Sequence, residues 1–243
     1  PVDGVFFTGS YATGARIAQE VGPRMLKLQL ELGGKDPTYV CDDVDIAGAA
    51  TSLADGAMYN TGQSCCSVER IYVHERIHDA FVEAFVREVK GLRIGDPTDE
   101  SSYIGPLTRE AQLEVLEAQV ADARSKGARL LAGGRRLDPP GNWFEPTVFS
   151  QVDHGMALMR EESFGPIIGI QKVAGDDEAV RLMNETEYGL TAGVYTQDAA
   201  RAERILAQVA AGSVYWNCCD RVSPRLPWSG VKHSGIGLTL STY

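Results

Sequence analysis

Residues 60–66 read Asn60-Thr61-Gly62-Gln63-Ser64-Cys65-Cys66 and separate two segments of different periodicity. Residues 45–60 repeat apolar side chains at helical spacing, whereas residues 70–73 are mostly β-branched or aromatic, as strands are. The paired cysteines therefore lie on a glycine-bearing turn between a predicted helix and a predicted strand. A thiol on such a turn is typical of a catalytic nucleophile. Small free cysteines also pack as simple hydrophobic groups, so the local pattern leaves both interpretations open.

Helix and strand patterns alternate along the rest of the chain. Extended segments are predicted at 3–7, 25–32, 37–40, 70–73, 129–132, 143–149, 167–173, 191–195 and 213–216, and helices at 12–21, 45–60, 77–92, 108–126, 176–184 and 199–210. We expect segment 3–7 to be buried, Thr108 to cap the fourth helix, and the residues after 216 to be irregular. The alternation indicates an α/β protein with a largely parallel sheet.

Composition and charge exclude several classes of protein. The 243 residues are 44% hydrophobic and 23% charged, which is typical of a globular protein with a full core. The net charge of −10 argues against nucleic acid and anionic membranes as partners. No segment approaches the roughly 20 unbroken apolar residues of a membrane span. We therefore predict neither a nucleic-acid nor a membrane partner.

The cysteines favour a reducing compartment. There are five, namely Cys41, Cys65, Cys66, Cys218 and Cys219. Residues 65 and 66 form one adjacent pair, and residues 218 and 219 form another. Adjacent cysteines are poorly placed to bond each other, and an odd count argues against an oxidised framework. The cysteines and scattered histidines show no zinc spacing, so no metal site is predicted. We expect a cytoplasmic protein.

Two turns near the start allow a functional or a structural interpretation. Gly9 and Ser10 join a predicted strand to a helix, where backbone N–H groups can bind phosphate, although Ser10 is equally an ordinary helix cap. Glu31 ends the second predicted strand just before Gly33 and Gly34. Its carboxylate is either a solvated edge charge or a positioned general base, and its local sequence favours the edge charge.

Six motifs in a fixed order connect these observations. The main three are Glu31-Leu32-Gly33-Gly34-Lys35, Gly62-Gln63-Ser64-Cys65 and Glu161-Glu162-Ser163-Phe164-Gly165-Pro166. The others are Phe7-Thr8-Gly9-Ser10, Trp143-Phe144-Glu145-Pro146-Thr147 and Trp228-Ser229-Gly230-Val231-Lys232-His233-Ser234-Gly235. Each is weak alone, but together they resemble the aldehyde dehydrogenase superfamily over essentially the whole chain.

The resemblance implies an oxidation of an aldehyde substrate to a carboxylic acid. It makes Cys65 the nucleophile and Glu31 the general base that activates water. It also places Ser64, Cys66 and Trp228 around the substrate. A thiol suits this role because it is partly ionised near neutral pH and sulfur is strongly nucleophilic. A carboxylate in a dry pocket has a raised pKa, which suits a general base.

The resemblance also implies NAD or NADP as cofactor. Gly9 and Ser10 would meet its pyrophosphate, and Leu32 and Gly33 would lie near the nicotinamide. The remaining implied contacts are with the nicotinamide ribose and ring, and they come from Gln112, Glu162 and Phe164. Ser163 stands where the family usually has an aliphatic residue, and we expect this departure to be tolerated because its neighbours make the contact.

Family members are considerably longer, and this chain resembles their second half. The implied divisions are the terminal part of the cofactor-binding domain at 1–33, a catalytic domain at 34–232, and the start of the return to the cofactor and oligomerisation region at 233–243. Most of the cofactor domain and an asparagine of the oxyanion hole would then lie upstream, and the chain alone would have little activity. The full-length protein is expected to be a homodimer or homotetramer.

Two other functions within the same fold remain open. In an acylating member, coenzyme A replaces water at the thioester. Such members usually lack the base at the position of Glu31, so this residue argues for hydrolysis. A non-catalytic structural protein, as some lens crystallins are, is disfavoured by the presence of both Cys65 and Glu31.

A weaker hypothesis concerns which aldehyde is bound. Arg221 and Arg225 fall where the family has a substrate loop, and either could pair with the carboxylate of a semialdehyde acid. Solvated loop arginines are the alternative interpretation, and it is the favoured one.

Overall fold

The structure is a computed structural model that describes residues 2–138, 140–219 and 222–242. Its strands are β1 Gly4–Thr8, β2 Lys27–Glu31, β3 Asp36–Val40, β4 Val68–His74, β5 Arg129–Ala132, β6 Thr147–Ser150, β7 Ile167–Val173, β8 Thr191–Tyr195, β9 Ser213–Trp216 and β10 Gly235–Ile236. Its α-helices are α1 Tyr11–Val21, α2 Ile46–Met58, α3 His78–Gly91, α4 Glu110–Ser125, α5 Asp176–Asn184 and α6 Ala199–Leu206. The predicted α/β class is confirmed.

Within the described residues, the strands form one large and one small sheet. The large sheet has the order β5-β6-β7-β4-β3-β8-β9, and its pairs are parallel except for β5 with β6. In the small sheet, β2 lies between a parallel β1 and an antiparallel β10. Parallel neighbours need crossover connections, and the helices between the strands supply them. The predicted divisions at 33/34 and 232/233 stay predictions.

The large sheet is covered on both faces. Successive side chains of a strand point to opposite faces, so Tyr39 belongs to one core cluster and Val40 to the other. Helices α4, α5 and α6 pack on the face of Tyr39, and α2 and α3 on the face of Val40. All residues of β3 and β4 are therefore buried, as expected for central parallel strands.

Three local predictions are wrong. Strand β1 exists, but Phe6 is 77% exposed because the face of the small sheet to which it points is uncovered. Helix α4 starts at Glu110, and its N-cap is Arg109, not Thr108. Thr108 belongs to the preceding loop, where its N–H donates to Gln63 Oε1 at 2.9 Å. Helix α6 ends at Leu206, and the Ala210 N–H donates to the side chain of Asn184 at 2.8 Å.

The residues after 216 are not wholly irregular, contrary to prediction. Strand β10 pairs with β2, with Gly235 opposite Glu31 and Ile236 opposite Leu30. The pairing is only two residues long, which is too short for the strand pattern to be recognised in the sequence. It brings the last part of the chain against the carboxylate-bearing end of β2, where the candidate site lies.

Candidate active site

The loop that carries Cys65 begins with an abrupt change of backbone direction after α2. Asn60, Thr61 and Gly62 have φ values of 50°, 59° and 68°. Non-glycine residues at positive φ cost energy and occur often at functional sites. Gly62 is also closely packed, because a Cβ built there would lie 2.3 Å from the Gly165 carbonyl oxygen. The cysteine loop therefore packs directly on the segment that contains residues 162–165.

Hydrogen bonds hold the loop on both sides of Gly62. The Asn60 side chain donates to the Gln63 carbonyl at 2.8 Å, and Gln63 in turn accepts the Thr108 N–H. The Tyr59 hydroxyl donates to Ser64 Oγ, which lies 3.5 Å from the sulfur of Cys66. Ser64 and Cys66 therefore flank the predicted nucleophile within one connected set of polar groups.

Cys65 has the electrostatic environment of a reactive thiol. Its side chain is half-buried, and a hydrogen bond with Cys66 lowers its pKa. Burial and the carboxylates of Asp36, Glu162 and Glu31 oppose this effect without reversing it. The fully buried Cys41 differs, because burial raises its pKa to about 12. Since the thiolate is the nucleophile, the sulfur of Cys65 is the more reactive of the two.

Glu31 lies at the end of β2, between Thr8 of β1 and Gly235 of β10. Its carboxylate accepts hydrogen bonds from the Trp228 indole at 2.7 Å and from the Gln29 amide at 2.9 Å. Burial raises the pKa of Glu31, and these donors partly offset the effect. A half-buried carboxylate held by side-chain donors differs from a solvated edge charge. Its raised pKa brings it toward the range in which a general base works.

Trp228 connects the thiol to the carboxylate. Its side chain is 9% exposed and packs with Cys66 and Leu190, and Cys65 lies against the same cluster. Its indole N–H donates to Glu31. The backbone of Trp228 is fixed by reciprocal hydrogen bonds with Thr239 at 2.8 and 2.9 Å. One aromatic ring thus binds the predicted base and belongs to the cluster against which the predicted nucleophile packs.

A second carboxylate lies at the glycine pair after β2. Glu162 Oε1 accepts the Gly34 N–H at 3.1 Å, and a Cβ on Gly33 would lie 2.2 Å from Glu162 Oε2. Burial and the nearby Glu69 carboxylate raise the pKa of Glu162 to about 7. Phe164 has a left-handed φ of 45° and is 36% exposed. The carboxylate of Glu162 and the partly exposed ring of Phe164 are therefore only two residues apart, in one short segment.

The remaining predicted cofactor residues lie on both sides of this segment. Gln112 donates to the Ser163 carbonyl at 2.5 Å, and the Gly9 N–H donates to the Glu31 carbonyl at 3.0 Å. Ser10 is exposed and caps α1 by accepting the Thr13 N–H at 3.4 Å. The Leu32 side chain is buried against Gly14 of α1, where a Cβ would lie 2.7 Å from it.

The suggested substrate arginines gain no structural support. Arg221 lies outside the described residues. Arg225 is exposed, and its backbone N–H donates to Ser223 Oγ at 3.3 Å. In the described part of the chain, no three His, Cys, Asp or Glu side chains cluster as metal ligands would. Nor does any helix of these residues combine the length and apolarity needed to span a membrane.

A buried ionic network beside the site was missed in the sequence. Lys35 is fully buried and its ammonium lies 2.6 Å from Glu69 Oε2 and 2.9 Å from Ser163 Oγ. The sequence does contain a signal for it, since Glu69 stands beside Arg70 in a central strand and Lys35 directly precedes another. A charge at such a position is almost never fully buried unless it is paired.

Comparison with known proteins gives a consistent result. The model of the aldehyde dehydrogenase family matches residues 1–243. The chain is 38% identical over 238 residues to a betaine aldehyde dehydrogenase of Brucella anthropi, covering 96% of this chain and 49% of that protein. It is 39% identical over 236 residues to a succinate-semialdehyde dehydrogenase [NADP(+)] of Mycobacterium tuberculosis, covering 97% and 52%.

Solved structures agree with the sequence matches. A crystal structure of betaine aldehyde dehydrogenase from Staphylococcus aureus in complex with NAD+ superposes with a TM-score of 0.95 at 33% identity. The match covers 99% of this chain and 49% of that one. The chain therefore spans about half the length of the proteins it matches.

Proposed function

The chain belongs to the aldehyde dehydrogenase family, and we propose that it carries the nucleophile, the base and part of the cofactor site for oxidising an aldehyde to a carboxylic acid with NAD or NADP. The observation that carries this proposal is that Trp228 donates its indole N–H to the carboxylate of Glu31 and also belongs to the cluster, with Cys66 and Leu190, against which the half-buried Cys65 packs. The thiol of Cys65 has a lowered pKa. The NADP(+) named for the Mycobacterium relative and the NAD+ bound to the Staphylococcus protein support either dinucleotide.

The residues near Gly33 fit such a cofactor. Gly33 leaves room for the carboxylate of Glu162, which a Cβ would displace. A carboxylate can accept hydrogen bonds from ribose hydroxyls, and the exposed ring of Phe164 can lie against a flat nicotinamide. Gly9 and Ser10 directly precede α1, with Ser10 as its N-cap, and the N-terminus of a helix attracts phosphate groups. Bound here, the dinucleotide supplies the acceptor for the hydride.

The reaction begins at Cys65. Its thiolate attacks the carbonyl carbon, an S–C bond forms, and the π electrons of the carbonyl move to oxygen. The carbon becomes tetrahedral and electron-rich, so it can lose its hydrogen with both bonding electrons. When this hydride has left, Cys65 holds the acyl group as a thioester. The lowered pKa of Cys65 supports this role, since it increases the fraction of thiolate.

Glu31 completes the cycle. Its carboxylate removes a proton from water, and the hydroxide attacks the thioester carbon. The C–S bond then breaks, which releases the carboxylic acid and restores the thiolate of Cys65. General-base catalysis of this kind contributes roughly 10²–10⁴-fold. The hydrogen bonds from Trp228 and Gln29 orient the carboxylate, and its presence favours hydrolysis over transfer to coenzyme A.

The substrate is proposed only as an aldehyde, because the named relatives act on differently charged ones, betaine aldehyde and succinate semialdehyde. Ser64 and Cys66 flank Cys65 and would line the substrate side together with Trp228. A homodimeric or homotetrameric assembly and a cytoplasmic location are further parts of the proposal.

The test uses the complete natural protein that carries this sequence, assayed for reduced cofactor with several aldehydes. Cys65→Ala should abolish turnover, whereas Cys41→Ala, which also removes one sulfur, should retain it in the folded protein. Glu31→Gln should produce one burst of reduced cofactor per site and then turn over roughly 10²–10⁴-fold more slowly than the natural enzyme. The matched surface control is Glu20→Gln. Turnover that survives Cys65→Ala would overturn the proposal.

A further inference from the structure

Residues 162–164 present alternate side chains to opposite sides. Glu162 faces Gly33 and Gly34, and Phe164 is partly exposed, while Ser163 between them is fully buried. The two outer residues are those that the proposed function assigns to the cofactor. The inner one points into the protein, where it can only fix the position of its neighbours. What Ser163 contacts therefore decides how firmly Glu162 and Phe164 are held.

A single carboxylate holds the backbone of this segment. Glu69 accepts the N–H of Ser163 at 2.8 Å and the N–H of Phe164 at 3.0 Å. Glu69 is only 4% exposed, so these hydrogen bonds form away from competing water. Phe164 has a φ of 45°, which is unfavourable for an aromatic residue and persists only where surrounding contacts enforce it. The two N–H groups bound by Glu69 supply that enforcement.

Lys35 ties the same carboxylate to the loop that follows Glu31. Its ammonium donates to Glu69 Oε2 at 2.6 Å and to Ser163 Oγ at 2.9 Å. Ser163 Oγ donates in turn to Gln119 Oε1 at 2.8 Å, and Gln119 donates to the Glu161 carbonyl at 3.3 Å. The hydroxyl thus both accepts and donates. An aliphatic side chain could do neither, so the serine at this position is more than a tolerated departure.

The network joins three segments of the proposed site. Lys35 directly follows the glycine pair 33–34, and Glu69 lies four residues after Cys65. Ser163 lies within the cofactor segment, residues 162–164. Because the ion pair and the hydroxyl are fully buried, removing one member leaves another without its partner. The position of the cofactor segment relative to the nucleophile loop is therefore set by side chains that are themselves buried in the protein.

We infer that Glu69 and Ser163 are positioning residues, which hold Glu162 and Phe164 in the orientation that binds the nicotinamide end of the cofactor. This inference rests on the proposed function, because it takes the role of Glu162 and Phe164 from it. It adds a specific expectation. Disturbing the network should weaken cofactor binding without an equal effect on the thiol or on aldehyde binding.

The test compares Glu69→Gln and Ser163→Ala with the natural sequence in the complete protein. The readouts are the Kd for reduced cofactor by fluorescence titration, the KM for cofactor and for aldehyde, and the rate of Cys65 alkylation by iodoacetamide without cofactor. Tyr195→Phe is the control, because it removes another buried hydrogen bond, to Ser52 at 2.8 Å. We expect each network variant to raise the cofactor Kd and KM about tenfold or more, as loss of hydrogen bonds to a charged group does. The aldehyde KM and the alkylation rate should change less than about twofold, a smaller effect than the loss of a hydrogen bond to a charged group produces.

Glu69→Gln leaves Lys35 buried without a counter-charge, which can prevent folding. The double variant Lys35→Met with Glu69→Gln removes both charges and serves in that case, with the same expected loss of cofactor binding. An unchanged cofactor Kd, or an equal loss in every readout, would overturn the inference. A natural protein that binds cofactor but oxidises no aldehyde would instead count against the proposed function alone, since the Kd comparison needs no turnover.

Discussion

The indole N–H of Trp228 donates to Glu31 Oε2 at 2.7 Å, across 197 residues of sequence. This bond and the antiparallel pairing of Gly235 with Glu31 bring the last part of the chain to the end of β2. Burial raises the pKa of the Glu31 carboxylate, and the residue that partly offsets this rise also packs with Cys66, beside Cys65. In the proposed reaction, one side chain would therefore both line the substrate and tune the base.

Replacing Trp228 with Phe should shift the pH dependence of turnover. Burial raises the pKa of Glu31, and the hydrogen bond from Trp228 counteracts this rise. Without the bond, the pKa of Glu31 rises further, so the base is protonated over a wider range of low pH. The acidic limb of the kcat profile should move to higher pH in Trp228→Phe. Thr239→Val is the control, because Thr239 lies 3.5 Å from the carboxylate and contributes less. An unmoved limb in Trp228→Phe would contradict the assignment of Glu31 as the base.

Alkylation should distinguish the cysteines of the folded protein. Cys65 is half-buried with a lowered pKa, whereas Cys41 is fully buried with a pKa raised to about 12. A thiolate attacks the CH₂ carbon of iodoacetamide and displaces iodide, so Cys65 should be modified first and Cys41 only after unfolding. Peptide mass spectrometry over a time course measures both rates in one sample. An aldehyde substrate should protect Cys65, and equal rates at the two cysteines would show that Cys65 is not activated.

The sequence predicts the fold well because its strands and helices differ in period and are separated by turn residues. Helices α2, α3 and α5 lie within two residues of their predicted bounds, as an apolar stripe is a local property. Strand β10 could not be predicted, because two residues carry no recognisable period. The start of α4 was missed because its N-cap is Arg109, whose side chain makes no capping hydrogen bond, so no capping residue type marks the position.

In the candidate site, too, the sequence identifies residues by local pattern but not the distant residues that contact them. Motifs single out Cys65, Glu31 and Glu162 as residues. For the two carboxylates, however, the partner that changes the pKa most after burial comes from elsewhere in the chain. The donor to Glu31 is Trp228, and the carboxylate that raises the pKa of Glu162 after burial is Glu69. Such pairs are fixed by tertiary packing, so a pattern along the sequence cannot contain them.

Cofactor binding should depend on the ionisation of Glu162. Burial and Glu69 raise its pKa to about 7, so below that value the side chain is mostly protonated. A protonated carboxyl accepts ribose hydroxyls less well than a carboxylate does. The Kd for cofactor should therefore rise as pH falls through the pKa, and Glu162→Gln should remove this dependence. Titrations well below and well above pH 7 measure the effect. A pH dependence that persists in Glu162→Gln would assign it to another group.

Gly62→Ala should destabilise the protein and misplace Cys65. Gly62 has a φ of 68°, and an added Cβ would lie 2.3 Å from the Gly165 carbonyl oxygen, which belongs to the backbone. Strain at such a residue costs about 1–3 kcal/mol. The loop relieves it by moving away from the 162–165 segment, which separates the thiol from the residues proposed to bind the cofactor. The urea concentration at the midpoint of unfolding and the kcat/KM should both fall.

The control for that experiment is Gly91→Ala, at the exposed end of α3. Apart from its chain neighbours and its own helix backbone, no atom of the described residues lies within 4 Å of a Cβ added there, and the helical backbone accepts alanine. Replacing a helical glycine by alanine stabilises by up to about 1 kcal/mol, so this variant should unfold at a slightly higher urea concentration and keep its activity. If Gly62→Ala behaved like Gly91→Ala in both measurements, close packing of the cysteine loop on residues 162–165 would not be a requirement of the site. Loss of activity with stability unchanged would mean that the loop moves without strain, and that Gly62 acts through the position of Cys65 alone.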